Sequence, residues 1–95
     1  MSERKSAQYY QALDERLKKL LPDLQRTVPL ENWRWFEEWV RAGEYGLAAE
    51  VAAEGLLVTD RLADELSREV LATADMMELN TEPIVRLRAR LADLT

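Results

Sequence analysis

Six carboxylates stand four residues apart in pairs: Glu50 with Glu54, Asp60 with Asp64, and Glu65 with Glu69. On a helix such a pair shares one face. It can hold a hard cation, or divide acid and base roles if it is buried. Little else in the chain offers chemistry. Histidine and cysteine are both absent, which removes the commonest general base, the thiol nucleophile, the usual nitrogen metal ligand and any disulfide framework. The bundle di-metal motif Glu-x-x-His therefore has no counterpart. The three glycines, at 43, 46 and 55, form no phosphate-binding loop. Paired carboxylates on charged helices are ordinarily solvated surface, so the chain reads as a non-enzyme with no cofactor and no metal.

The carboxylates say more as a field than as ligands. The net charge is −5 over 95 residues, and it is unevenly placed. Residues 42–85 carry 2 basic and 10 acidic side chains, a net of −8, whereas residues 1–41 carry 8 basic and 7 acidic, a net of +1. An acidic middle repels phosphates, which argues against direct nucleic-acid binding and for a basic partner. Two basic clusters, Arg34/Arg41 near Trp35 and Arg86/Arg88/Arg90, resemble no nucleic-acid motif. Hydrophobic residues make up 47% and charged residues 33%, a balance that suits a folded globular chain. No run approaches the roughly 20 apolar residues of a membrane span, and the N-terminus lacks a signal-peptide core. The expectation is one soluble, cytoplasmic domain with no membrane partner.

Five helices are expected to position these side chains, over roughly 3–21, 30–42, 44–56, 60–78 and 83–93, in a compact all-α bundle with antiparallel neighbours and short loops. Ser2 is the expected cap of the first helix, and Pro22 is expected to end or kink it. Tyr10, Leu13, Leu17, Leu20 and Leu24 form its apolar stripe, either core or a short coiled-coil seam. Thr59 or Asp60 is expected to cap the fourth helix and Thr81 the fifth, with Pro83 in its first turn. Leu62, Leu66, Val70, Ala74 and Met77 line one face of the fourth; Ile84, Leu87, Leu91 and Leu94 line one face of the fifth. Period-two alternation is absent, so no strand is expected.

All three tryptophans and the only phenylalanine fall in the second helix. At about 100° per residue, Leu30, Trp33, Phe36 and Val40 share one side, and Trp35 and Trp39 lie outside it. Either this helix is central and covered on two sides, or Trp35 and Trp39 form an exposed contact patch. Gly43 suits the left-handed residue that closes a helix. Glu44 then starts the third helix, where its charge complements the dipole. That helix buries Tyr45, Leu47, Ala48, Val51, Ala52 and Leu56, with small residues at 48, 49, 52 and 53 for close helix approach, and Gly55 is expected to loosen or end it.

The run Trp39-Val40-Arg41-Ala42-Gly43-Glu44-Tyr45-Gly46-Leu47-Ala48-Ala49-Glu50 resembles the Gly-Glu-Tyr/Phe-Gly-Leu-Ala-x-Glu signature of small helical immunity proteins. The resemblance is to the MafI-type family of bacterial polymorphic toxin systems and its actinobacterial relatives. It covers about residues 36–80, with Leu62, Leu66, Leu71, Met76 and Met77 fitting the later helix and its Met-containing turn. Ala49 departs from the pattern, where a larger apolar residue is usual, and the Trp33/Trp35/Trp39 cluster is richer in aromatics. The resemblance implies an antitoxin that binds the C-terminal domain of a secreted toxin, often a nuclease, whose basic groove an acidic surface can cover. On that reading Glu44, Glu50, Glu54, Asp60, Asp64, Glu65 and Glu69 steer association, and Trp35, Trp39 or Tyr45 anchors the interface. The alternative is a homodimeric helical adaptor, joined through the leucine stripe or the tryptophans. An enzyme with a carboxylate metal site is a third reading.

Overall fold

Each helix boundary follows from where its terminal backbone groups find partners. The computed structural model describes residues 6–59 and 63–93; Ser2, Asp60, Leu62 and Leu94 lie outside them. α1 (Ala7–Thr27) is capped by Ser6, whose Oγ accepts from the Tyr9 amide at 3.1 Å. Pro22 does not end it. The helix continues for five more residues because Leu24 and Val28 are wanted in the core, where both are buried. The carbonyl that Pro22 leaves without an amide belongs to Lys18, and both residues are exposed to water. Leu13, Leu17, Leu20 and Leu24 are buried, whereas Tyr10, expected in the same stripe, is exposed.

α2 (Leu30–Arg41) and α3 (Tyr45–Leu57) meet at a tight stop. Gly43 has φ +77°, its amide donates to Val40 O at 3.0 Å, and the Glu44 amide donates to Trp39 O at 2.8 Å. This is a Schellman closure, with the glycine at the left-handed position. α4 (Asp64–Met76) ends the same way on a residue that gives no sequence signal. Glu78 has φ 53°, its amide donates to Asp75 O, and the Leu79 amide donates to Ala74 O. A side chain in this conformation is strained, so Glu78→Gly is expected to raise stability by about 0.5–1 kcal/mol. A chemical denaturation midpoint that does not rise would contradict it.

Two caps differ from expectation. Thr59 closes α3 rather than opening α4: its Oγ1 donates to Leu56 O at 2.8 Å. α4 instead starts at Asp64, with Asp64 and Glu65 in its first turn near the dipole's positive end. Thr81 does stand at the N-cap of α5 (Glu82–Ala92), with Pro83 in the first turn, yet its hydroxyl makes no hydrogen bond. Among the described residues there is no strand, and the radius of gyration of 12.8 Å is that of a compact small bundle.

The central element is α3, not α2. α3 touches all four other helices, α1 touches α2, α3 and α4, and α2 and α4 do not meet. Composition explains this. Ala48, Ala49, Ala52 and Ala53 are fully or almost fully buried and form one broad face of about 140°, so several neighbours can approach the backbone across it. Leu47, expected inside, is instead 41% exposed.

Gly55 lies inside α3 rather than ending it, and a Cβ there would stand 2.8 Å from Val28 Cβ and 3.0 Å from Asn32 Cβ. Asn32 faces α3 here, with its Nδ2 donating to Val51 O at 3.3 Å. Leu30, about 200° around the helix from Asn32, is thereby turned outward and is 57% exposed. Both crowding atoms are rooted in backbone, so Gly55→Ala is expected to lose a net of about 1–2 kcal/mol despite alanine's better helix propensity. Gly46→Ala meets only Leu79 Cδ1 at 3.9 Å and is expected to gain about 0.5 kcal/mol. Denaturant titration of the two variants tests the opposite signs; equal signs would refute the close-approach role of Gly55.

Candidate partner-binding surface

Trp35 and Trp39 are one helical turn apart on α2, and their rings stack with centroids 5.6 Å apart and planes at 26°. The two differ in support. Trp39 is half-buried and packs against the core, as Trp33 does, whereas Trp35 is 50% exposed. Trp39 thus anchors the stack and Trp35 presents it. Because α3 is the covered helix, the outer face of α2 is left to solvent, which decides between the two sequence readings in favour of an exposed patch. Beside Trp35 an open cleft of about 440 Å³ is lined by Leu30, Glu31, Arg34, Glu37 and Glu38. Glu31, Arg34, Trp35 and Glu38 follow the i, i+3, i+4, i+7 spacing of a single helix face. That spacing is the signal for the rim that the sequence carries.

The remaining candidates fall in other places. Tyr45 is half-buried where α1, α2 and α3 meet, and its hydroxyl donates to Asp14 Oδ1 at 3.1 Å. Lys18 Nζ lies 2.7 Å from the other Asp14 oxygen. The Lys18 hydrogen bond, followed by that from Tyr45, holds the Asp14 carboxyl below its ordinary value. The Asp14 carboxylate in turn raises the Lys18 ammonium, and partial burial, then Asp14, raises the Tyr45 phenol. A lowered Asp14 pKa adds stability at neutral pH that is lost as pH falls through the carboxylate's folded value.

Glu44 is exposed at the N-cap position of α3 and makes no side-chain cap bond. Glu50 is half-buried and Glu54 exposed on the same helix, the latter in a groove with Glu82 and Arg86. Asp64, Glu65 and Glu69 line a different groove, between α1 and α4, together with Asp23. Glu69 also pairs with Arg16 at 3.4 Å. Asp60 lies outside the described residues. The acidic candidates therefore line separate grooves rather than one continuous surface, and those of α4 sit on a helix that α2 does not touch.

The chain matches no protein-family profile, no curated protein and no solved structure. Chemistry of the site therefore rests on its own residues. No group of three or more metal-ligating side chains occurs among the described residues, and no described helix is long and apolar enough to cross a membrane. One functional-looking residue has a structural task instead. Arg90, grouped by sequence with Arg86 and Arg88, reaches the C-terminal end of α3. Its Nη1 donates to Leu57 O at 2.8 Å and Leu56 O at 3.3 Å, and its Nη2 donates to Thr59 O at 3.0 Å.

Proposed function

We propose that this chain is an immunity protein, a binding protein without catalysis that neutralises a cognate secreted toxin domain in the cytoplasm of the producing cell. The observation that carries the reading is the Trp35–Trp39 stack, half-exposed on a peripheral helix and held from beneath by the core. A stacked pair is already ordered before binding, and a large aromatic presented this way is the side chain type that dominates protein interfaces. The resemblance of residues 36–80 to MafI-type immunity proteins supplies the partner class. The charge of the chain supports it: residues 42–85 hold a net of −8, spread over separate grooves, a long-range field suited to a toxin whose substrate-binding groove is basic.

The homodimeric adaptor loses one of its two routes, because Leu13, Leu17, Leu20 and Leu24 are buried within the bundle and form no free seam.

The test is capture of partners from native lysate on the purified, tagged chain, followed by co-expression of any captured domain with the chain. Recovery of the basic C-terminal domain of one large protein, toxic alone and harmless when co-expressed, is the expected result. Recovery of the chain alone, with a dimer mass in solution, would replace the antitoxin with the adaptor. With the toxin in hand, the double charge reversal Glu50→Lys/Glu54→Lys is expected to slow association by roughly tenfold and flatten its salt dependence. An unchanged on-rate in stopped-flow mixing would remove electrostatic steering by α3.

A further inference from the structure

The exposed flank of α2 is complementary to itself when its direction is reversed. At about 100° per residue, Glu31, Glu38, Arg34 and Arg41 lie roughly 40°, 60°, 100° and 120° to one side of Trp35, and all five side chains are exposed. Charge alternates along that flank in the order Glu31, Arg34, Glu38, Arg41. Glu31 and Arg41 stand five positions to either side of Phe36, and Arg34 and Glu38 stand two positions to either side. Each acid therefore has a base as its mirror about one point of the helix. These charges are also available. Glu31 and Arg34 take part in none of the ion pairs among the described residues, and Glu38 and Arg41 have only each other, at 3.1 Å on the exposed surface.

We propose that this face pairs with the same face of a second copy of the chain, the two α2 helices running antiparallel about a two-fold axis near Phe36. Such an axis brings like flank to like flank with the chain direction reversed, so each contact is made twice. Glu31 then meets Arg41 of the second copy, and Arg34 meets its Glu38. The two Trp35 rings lie beside these contacts, about 3 Å apart along the helices, within reach of offset stacking. Charge decides among the occupants of this face. A basic segment would meet Arg34 and Arg41, an acidic one Glu31 and Glu38, and a leucine-rich one would cover all four charges unpaired. A parallel second copy would set each charge level with its own kind. One helix face is smaller than the roughly 1,200 Å² of stable interfaces, so the pair is weak and reversible. The inference goes beyond the antitoxin reading and does not rest on it: a toxin seated on Trp35 would displace the second copy.

The test needs no toxin, so its outcome is separate from that of the capture experiment. Sedimentation equilibrium is run on the full chain at low salt and up to about 1 mM protein, where exposed charges are least screened. The mass is expected to rise with concentration toward twice that of the monomer. Arg34→Glu and Glu38→Arg each set like charges against one another twice across the axis, and each alone is expected to weaken self-association at least roughly tenfold. Mixed in equal amounts, the two variants are expected to associate with each other about as strongly as the wild type does with itself. The new carboxylate of one chain then faces the new guanidinium of the other, and the remaining pair at positions 34 and 38 is restored with it. That rescue distinguishes the antiparallel pairing from any effect of either change on its own helix. A monomer at every concentration, single reversals that associate as the wild type does, or a mixture no stronger than its components would each overturn the proposal.

Discussion

Trp35→Ala is expected to weaken binding of the proposed toxin partner by about 2–4 kcal/mol, roughly 30- to 1,000-fold, while leaving the fold nearly untouched. Trp35 is half-exposed and its main intramolecular contact is the stack with Trp39. Losing an aromatic pair of this kind costs about 0.5–1 kcal/mol, a fall of only a few degrees in the thermal midpoint of a chain this size. Trp39→Ala should behave differently. Trp39 packs against the buried core as well as against Trp35, so its loss is expected to cost about 2–3 kcal/mol of stability, less than the roughly 3–5 kcal/mol of a fully buried large aromatic because Trp39 is half-buried. It also removes the support beneath Trp35, and binding falls with it. Titration calorimetry with the captured toxin and thermal melts of the free proteins separate the two. Wild-type affinity in Trp35→Ala would dismiss the anchor, and a collapse of its midpoint would assign Trp35 to the core.

Arg90→Met is expected to destabilise the bundle by about 2–3 kcal/mol, although Arg90 contributes no apolar side chain to the core. The last carbonyls of α3 have no intrahelical donor, and they carry the negative end of the helix dipole. Arg90 donates to Leu56, Leu57 and Thr59 from α5, which ties the end of the central helix to the last one. Methionine keeps much of the stem's packing and removes all three hydrogen bonds. Arg90→Lys should recover only part of the loss, because a compact ammonium cannot span three carbonyls as a guanidinium does. Hydrogen exchange gives the specific signature. Amides near residues 56–59 should lose more protection than those of α1, and a uniform loss would mean that Arg90 acts only through bulk stability.

These two residues mark the limits of what the linear chain discloses. Arg86, Arg88 and Arg90 look alike in sequence, all outside the Ile84–Leu87–Leu91 stripe. Arg88 meets Asp75 at 2.8 Å on the exposed surface, whereas Arg90 finds the end of α3. That distinction depends on where α3 stops relative to α5, a contact across more than thirty residues. The four-residue spacing of Trp35 and Trp39 puts them on one flank of α2, outside its first apolar side, but whether they faced core or solvent depended on which helix became central.

The sequence by itself determined the helical class, the number of helices and most of their apolar faces. Spacing at three and four residues is a local property, and a buried stripe such as Leu13, Leu17, Leu20 and Leu24 expresses it directly. It also determined the stop at Gly43, since only the left-handed conformation gives a glycine that advantage. The tertiary structure decided what local chemistry leaves degenerate. It carried α1 past Pro22, because burial of Leu24 and Val28 outweighs one lost backbone bond at the surface. It put Glu78 into a strained turn and made α3 the centre, because only alanine and glycine let four neighbours come so close. By filling the middle with small residues, it left the Trp35 face of α2 open to solvent.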